Sequence, residues 1–360
     1  MTPNNLLAKR HRAATARPPV GRFGLEPAQW FHYSLKRERA RADHTGRELA
    51  LVLFTPRQRR HPEKTQARIA RVLRQQLQAT DEPGWFDDER IGVIMPEASV
   101  ERASRLADEV CLTFSTRTMP PLCEVFTYPS NWLSNDHGND GPAEDDTRQR
   151  KLRRLERLFV KPLPVWKRAL DLLGASVGLF LSAPLWLLLA ILIKLESRGP
   201  VFFRQRRTGL GGKAFVIYKF RTMSADAETQ KASLLAFNEQ DGPAFKIKSD
   251  PRVTRLGRFL RATSIDELPQ LINVLKGEMS LVGPRPLPCS ESDACLPWQR
   301  RRLDVTPGLT CIWQVRGRSR VTFDEWMRMD LAYVDSVSLR HDLKLLLATV
   351  WAVVHRAGAY

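Results

Sequence analysis

Two adjacent acids, Asp266 and Glu267, follow four arginines, Arg252, Arg255, Arg258 and Arg261, in the stretch SDPRVTRLGRFLRATSIDELPQLINVLKGEMSLVGPRP (249–286). Three-residue spacing sets most of those arginines on one side of a helix or extended turn. Ser264 with Glu267 three residues on is, taken alone, a helix capping box. Pro269 fits the first turn of the apolar helix that follows, so the two acids are expected at a helix N-terminus, where N–H donors and the dipole favour anions. Adjacent carboxylates beside ranked guanidiniums suit Mg2+ and a diphosphate. An Asp near its reference pKa of about 3.9 is ionised at pH 7 and can attack phosphorus directly. No histidine occurs between His137 and His341, so chemistry in that stretch uses no imidazole base or ligand.

A second concentration of cations lies upstream in GPVFFRQRRTGLGGKAFVIYKFRTM (199–223), which carries Arg204, Arg206, Arg207, Lys213, Lys219 and Arg221 and no acid. Residues 201–203 and 214–220 are expected as two strands around a turn at Gly209, Gly211 and Gly212. Cations at this density meet lipid head groups, surround a phosphorylated substrate or form a solvated basic surface. Gly283-Pro284-Arg285-Pro286 is a rigid turn that presents Arg285 as a further phosphate contact.

These elements follow an uncharged run of twenty-two residues, LLGASVGLFLSAPLWLLLAILI (172–193). As one helix it would cover about 33 Å, enough for the hydrocarbon core of a bilayer. Pro184, behind Ser182, falls at its centre and is expected to break it into halves of roughly 17 Å, too short to cross. Basic residues flank both sides: Arg153, Arg154, Arg157, Lys161, Lys167 and Arg168 before it, Lys194, Arg198, Arg204, Arg206 and Arg207 after it. Positive charge on both flanks puts both in the cytoplasm, which a re-entrant helix–break–helix hairpin satisfies and a single span does not. A Pro-kinked span is the alternative. Asp171, at the edge of the run, is expected to pair with a neighbouring Arg or Lys.

The chain has 360 residues, long enough for two domains, and 57 Lys plus Arg against 39 Asp plus Glu for a net charge of +18. Such a field calls for nucleic acid, an anionic membrane surface or a phosphorylated substrate. A membrane-tethered basic scaffold or nucleic-acid-binding protein is therefore the alternative class, but no helix-turn-helix, zinc finger or aromatic–basic interleaving is present, and no nucleic-acid partner is expected. Five cysteines without Cys-x-x-Cys spacing argue against a zinc module or a disulfide framework. Residues 1–44 read as a disordered basic arm. In 45–130 the expected order is a strand at 49–54, a helix at 63–78, a turn at Glu82-Pro83-Gly84, strands at 85–86 and 91–95, a helix through Val100, Ala103, Leu106, Ala107 and Val110, and a strand at 122–128. That order fits a ferredoxin-like α+β domain. It also loosely resembles a diguanylate-cyclase (GGDEF-type) domain, with Asp87-Asp88-Glu89-Arg90 at the hairpin tip and no paired glycines, which implies a non-catalytic regulatory or interaction role.

From about 165 to 360 the chain resembles the bacterial sugar transferase family, the monotopic polyprenyl-phosphate phosphoglycosyl transferases. The resemblance is carried by KRALDLLGA (167–175), the Ser182–Pro184 break, GPVFFRQRRTG (199–209), YKFRTM (218–223), the 250–286 stretch, PGLTCIWQVRGR (307–318) and LAYVDSVSLRHDLKLLLATV (331–350). It implies an α+β monotopic protein with a re-entrant hairpin (161–197) and a mostly helical cytosolic catalytic domain (198–360), joined by a linker (131–160) to the ferredoxin-like domain. It implies Asp266 as nucleophile on the β-phosphate of a UDP-sugar with Mg2+ held by Asp266 and Glu267, Glu267 assisting the metal or the incoming lipid phosphate, release of UMP, and transfer of the phosphosugar to a polyprenyl phosphate. Arg207, Lys219, Arg221, Arg252, Arg255, Arg258, Arg261, Arg285, Gln314 and Arg318 are the candidate substrate contacts. The implied location is the cytoplasmic face of the bacterial inner membrane, with a homo-oligomer or regulatory partner through 45–130 as the remaining partner class. One departure is Cys311, where many members have Gly before the IWQV stretch; it is expected to restrict backbone approach and alter sugar selectivity.

Overall fold

Alternating and continuous apolar runs in the first half of the chain build a sheet with a helix-covered core. The computed structural model describes residues 21–57, 62–114, 119–129, 152–224, 226–247, 249–316 and 321–354. The chain divides into two units, Met1–Leu155 and Glu156–Tyr360. The first contains α1 (Ala28–Thr45), β1 (Leu49–Thr55), α2 (Pro62–Gln76), β2 (Glu82–Trp85), β3 (Ile91–Pro96), α3 (Val100–Leu112), β4 (Leu122–Tyr128) and β5 (Leu152–Arg154). The strands lie in the order β2-β3-β1-β4-β5, antiparallel except for the parallel β4–β5 pair. The β1 strand, apolar from Leu49 to Phe54, is central, and Val52 and Phe54 share a core with Ile69 and Leu73 of α2 and Leu106 and Val110 of α3. Ser99 caps α3 by accepting from the Arg102 N–H, as Ser at an N-cap does.

Three expectations are corrected here. The basic arm is helical from Ala28 to Thr45, because Phe31, Leu35 and Ala42 bury one stripe that the intervening arginines obscure. The turn at Glu82-Pro83-Gly84 begins β2, an edge strand where Pro is tolerated, and a Cβ on Gly84 would lie 2.4 Å from the Phe31 ring. Within the expected linker, Leu152–Arg154 pairs as β5; residues 130–151 lie outside the described residues.

The second unit is mixed α/β and contains α4 (Val165–Glu196), the hairpin β6 (Phe202–Thr208) and β7 (Ala214–Phe220), α5 (Arg255–Ala262), a 3-10 turn at Ile265–Glu267, α6 (Gln270–Lys276) and β8 (Ser280–Val282). Short helices at Cys289–Asp293 and Pro297–Arg300 lead to β9 (Gly308–Thr310), α7 (Ile312–Arg316), α8 (Phe323–Asp335) and α9 (Leu339–Val354). Phe215 and Ile217 of β7, Leu271 and Val274 of α6, and Tyr333 and Leu345 of α8 and α9 form its main core.

Helix α4 is long and apolar enough to cross a membrane by length and composition. In place of two separate halves, it runs as one helix through Pro184. Ser182 Oγ donates to the Leu179 carbonyl and accepts from Trp186 Nε1 at 3.0 Å, a local polar patch beside the proline. Asp171 has different partners from those expected: it accepts from Ser280 Oγ at 2.9 Å and from the Leu281 N–H at 2.8 Å. The neighbouring cation, Lys167, instead pairs with Asp342 of α9 and donates to the Val282 carbonyl, where burial leaves no room for solvent to compete.

Candidate active site

Strand alternation puts Arg207 on β6 and Lys219 on β7, with Arg221 just beyond, on one face of the hairpin. Opposite that face, the acid pair occupies the 3-10 turn between α5 and α6. The turn starts at Ser264, whose φ of 58° places a non-glycine residue in the left-handed region. In that conformation Ser264 makes no side-chain cap, so the expected capping box is absent and Glu267 faces the cations. Helix α5 reaches the hairpin closely because residue 257 is Gly: a Cβ there would lie 2.1 Å from the Thr222 carbonyl oxygen. This approach lets Arg261 Nε donate to Thr222 Oγ1 at 2.9 Å.

Glu267 is clamped. Lys219 Nζ donates to its Oε1 at 2.8 Å, Arg285 Nη1 donates to its Oε2 at 3.1 Å, and Arg285 Nη2 also donates to Oε1. Burial works to raise the Glu267 pKa, but Arg285 and Lys219 outweigh it and hold the carboxylate well below its usual range. Asp266 is buried with only 7% of its surface exposed and is pushed up to about 6, first by burial, with Lys219 opposing and the Glu267 charge adding to the rise. The expectation of an ordinary Asp pKa is corrected accordingly: the neighbouring acid takes the cations. Lys219 is lowered by burial against the pull of Glu267, and Arg207 falls to about 10 through burial and the nearby Arg285.

Asp266 and Glu267 line a cavity of about 1010 Å³ together with Arg207, Lys219, Arg221, Arg252, Arg261, Arg285 and Gln314. Arg252 is committed there to Asp250 in a two-pronged ion pair. Arg255 and Arg258 are not brought to the cavity; both are exposed on α5. Three-residue steps drift by about 60° each on a helix with 3.6 residues per turn, so a rank in sequence fans around the surface. Arg318 lies outside the described residues. Cys311 is buried, and its thiol donates to Gln314 Oε1 at 3.0 Å.

The turn bearing Arg285 is held by Gly308 and Arg207, which lie in the quoted motifs, and by Arg302, which does not. The Pro284 carbonyl accepts from the Gly308 N–H at 2.9 Å, the Arg285 carbonyl from Arg302 Nη2, and the Pro286 carbonyl from Arg207 Nη1 at 2.6 Å. Arg302 is itself paired with Asp330 of α8 at 2.7 Å, with both side chains buried. A buried Arg–Asp pair distant in sequence leaves no periodic or spacing signal, which is why sequence inspection passes over it.

The donor set does not form a protein-built magnesium cage. Among the described residues no group of three or more His, Cys, Asp or Glu side chains converges, and both Glu267 oxygens are occupied by cationic donors. Asp266 is the acid left to meet a substrate.

A family model described as bacterial sugar transferase matches residues 163–356. The chain belongs to the bacterial sugar transferase family. The UDP-glucose:undecaprenyl-phosphate glucose-1-phosphate transferase of Caulobacter vibrioides is 47% identical over 204 residues, covering 54% of this chain and 72% of that protein. The galactosyl transferase CpsE of Streptococcus agalactiae is 44% identical over 194 residues, and the undecaprenyl-phosphate galactose phosphotransferase of Salmonella typhimurium 40% identical over 201. For these two the match covers 54% of this chain but only 43% and 41% of the relative's length. Among solved structures, the GGDEF domain of DgcB from Caulobacter crescentus matches 31% of this chain and 78% of that one, with a TM-score of 0.26 and 11% identity.

Proposed function

We propose that this sugar transferase family member moves a sugar-1-phosphate from a UDP-sugar to a membrane polyprenyl phosphate such as undecaprenyl phosphate, as the first step of exopolysaccharide or related glycan synthesis. The observation that carries the proposal is the division of labour in the acid pair: Glu267 is saturated by Lys219 and Arg285, and Asp266 faces the same cation-lined cavity. An Asp266 carboxylate oxygen forms a bond to the β-phosphorus as the bond from that phosphorus to the bridging oxygen breaks, and UMP departs. A phosphate oxygen of the acceptor then bonds to the same phosphorus, the bond to Asp266 breaks, and the carboxylate is restored. Lys219, Arg207, Arg261 and Arg285 stabilise the charge on the transferring phosphoryl oxygens. Glu267 acts by holding Lys219 and Arg285 in place. Magnesium, in this account, arrives with the diphosphate as part of the substrate.

A monotopic seat at the cytoplasmic face of the inner membrane is part of the proposal. Its support is that both ends of α4 are fastened to one unit: Lys167 to Asp342 near the start, and Ser197, just past the end, to Arg221 Nη2 at 2.7 Å. Buried positions occur up to Ala175 and again from Leu189, with none between, so the exposed middle of the helix is the part offered to lipid, and the basic residues on both flanks favour one surface for both ends. The 45–130 region is proposed as a ferredoxin-like, non-catalytic regulatory domain. Its β2-β3-β1-β4 order and a hairpin tip closed by Asp87 and Arg90 support that role.

The test is transfer of label from a panel of UDP-sugars to undecaprenyl phosphate by the purified chain in detergent. One sugar should yield a lipid-linked product with stoichiometric UMP. Absence of product with every UDP-sugar, in protein shown to be folded, would refute the proposal.

A further inference from the structure

We infer that the polyprenyl phosphate enters over the Phe202–Phe203 end of β6, with its first isoprene units against an aromatic rim shared with α4 and its phosphate at Arg221 and Arg261. The subsite presumes the transfer chemistry above and adds where the acceptor binds.

Along the C-terminal half of α4, Leu187, Leu188, Ile191, Leu192 and Leu195 are exposed. On the same half, Trp186 packs edge-on against Phe220 at 5.3 Å between ring centroids and lies 5.9 Å from Phe202. Phe202 stacks on its cross-strand partner Phe220 at 5.5 Å. Phe202 and Phe203 are 36% and 37% exposed, and both line the large cavity. Phe203 pairs in register with Lys219, whose ammonium holds Glu267. Within two residues of β6 the surface therefore passes from apolar helix to catalytic cations, a polarity gradient that matches a lipid with a hydrocarbon tail and a phosphate head.

Arg221 supplies the second observation. Its Nη2 serves the Ser197 carbonyl and hydroxyl, while its Nε and Nη1 are buried and find no acceptor among the described residues. Buried guanidinium N–H groups without acceptors are costly, and phosphate oxygens satisfy them with charge-assisted bonds. Arg261 lines the same wall, five residues before Asp266. A recess of about 290 Å³ shares Arg207, Arg285 and Glu291 with the main cavity, and its lining includes neither Asp266, Arg221, Arg261 nor the two phenylalanines. The Phe202–Phe203 subsite thus leaves the Arg207–Arg285 side of the cavity to the UDP-sugar.

The experiment compares the wild type with Phe202→Ala/Phe203→Ala under steady-state conditions. The KM for undecaprenyl phosphate should rise about tenfold, the scale set by losing apolar burial, with the KM for UDP-sugar altered by less than about twofold. An unchanged acceptor KM, or equal rises in both, would overturn the subsite. Should the double variant misfold, wild-type protein is photolabelled with a diazirine-bearing farnesyl phosphate. Label within 185–204 or 220–224, competed by undecaprenyl phosphate and not by phosphatidylglycerol, is expected. Label elsewhere, or equal competition by phosphatidylglycerol, would overturn it. Label elsewhere with lipid-linked product intact defeats only the subsite, whereas absence of product from the wild type defeats the transfer reaction itself.

Discussion

At the hairpin tip of the first unit, Asp87 accepts from the Arg90 and Glu89 N–H groups and pairs with Arg90 Nε at 2.6 Å. At the 3-10 turn of the second unit, the acid that takes the cations is Glu267, and its neighbour Asp266 is left facing a cavity. The electrostatic outcomes are opposite. Partial burial would raise Asp87, but the hydrogen bonds from its own turn outweigh it and lower its pKa, whereas burial and the adjacent Glu267 raise Asp266 to about 6. Both sites bring Asp, Glu and Arg together, although the arginine at the second, Arg285, comes from a separate turn. One spends its hydrogen-bonding capacity locally and the other reserves a carboxylate for an external partner, so residue content alone does not mark a reactive site.

The contrast can be broken most directly by exchanging acids for amides. Asp266→Asn should reduce lipid-linked product by about a thousandfold or more, as loss of a nucleophile does. Retention within about tenfold of wild type would place the nucleophile elsewhere. A smaller effect is expected from Lys219→Met, which removes one cation from Glu267 and one favourable charge from Asp266. The rate should fall about a hundredfold, and the acidic limb of the pH profile should move up by roughly one unit, because Asp266 then loses its proton less readily. In the wild type, the reactive form of Asp266 is the carboxylate and its pKa is raised, so activity is lost as pH falls through about 6. An ordinary Asp would keep activity down to about pH 4, and a kcat/KM profile distinguishes the two. The smallest effect belongs to Asp87→Asn: a half-exposed ion pair is worth about 1 kcal/mol or less, so the denaturation midpoint should shift slightly while transfer stays at the wild-type rate.

Much of the site was legible because local spacing decides it. The acid pair is adjacent in the chain, and Lys219 and Arg221 lie in or just past a strand that the apolar pattern marks; Arg207 was expected beyond a strand at 201–203, but β6 runs from Phe202 to Thr208 and carries it. What escaped depends on contacts between distant segments. Arg255 and Arg258 share their spacing with Arg252 and Arg261, but α5 begins at Arg255 and its pitch turns the middle pair outward. The expected capping box yields to the longer-range pull of Lys219 and Arg285 on Glu267. Arg302 and Asp330, which steady the Arg285 turn, carry no motif of their own, and the partners of Asp171 lie more than a hundred residues away. In the fold, the strands and helices of 49–128 follow the hydrophobic pattern except at β2, where the expected turn residues Glu82-Pro83-Gly84 are strand. Helix α1 did not, since its buried stripe is interrupted by charges that α1 itself buries, Glu38, Arg39 and Asp43.

The central claim is that Asp266, and no other acid, carries the sugar phosphate between substrates. Its most direct test is the intact mass of the purified chain incubated with its UDP-sugar, without acceptor, followed by peptide mapping. A single added sugar phosphate on Asp266, discharged when undecaprenyl phosphate is supplied, is the expected result. UMP formation without any adduct, or an adduct on another residue, would contradict the account.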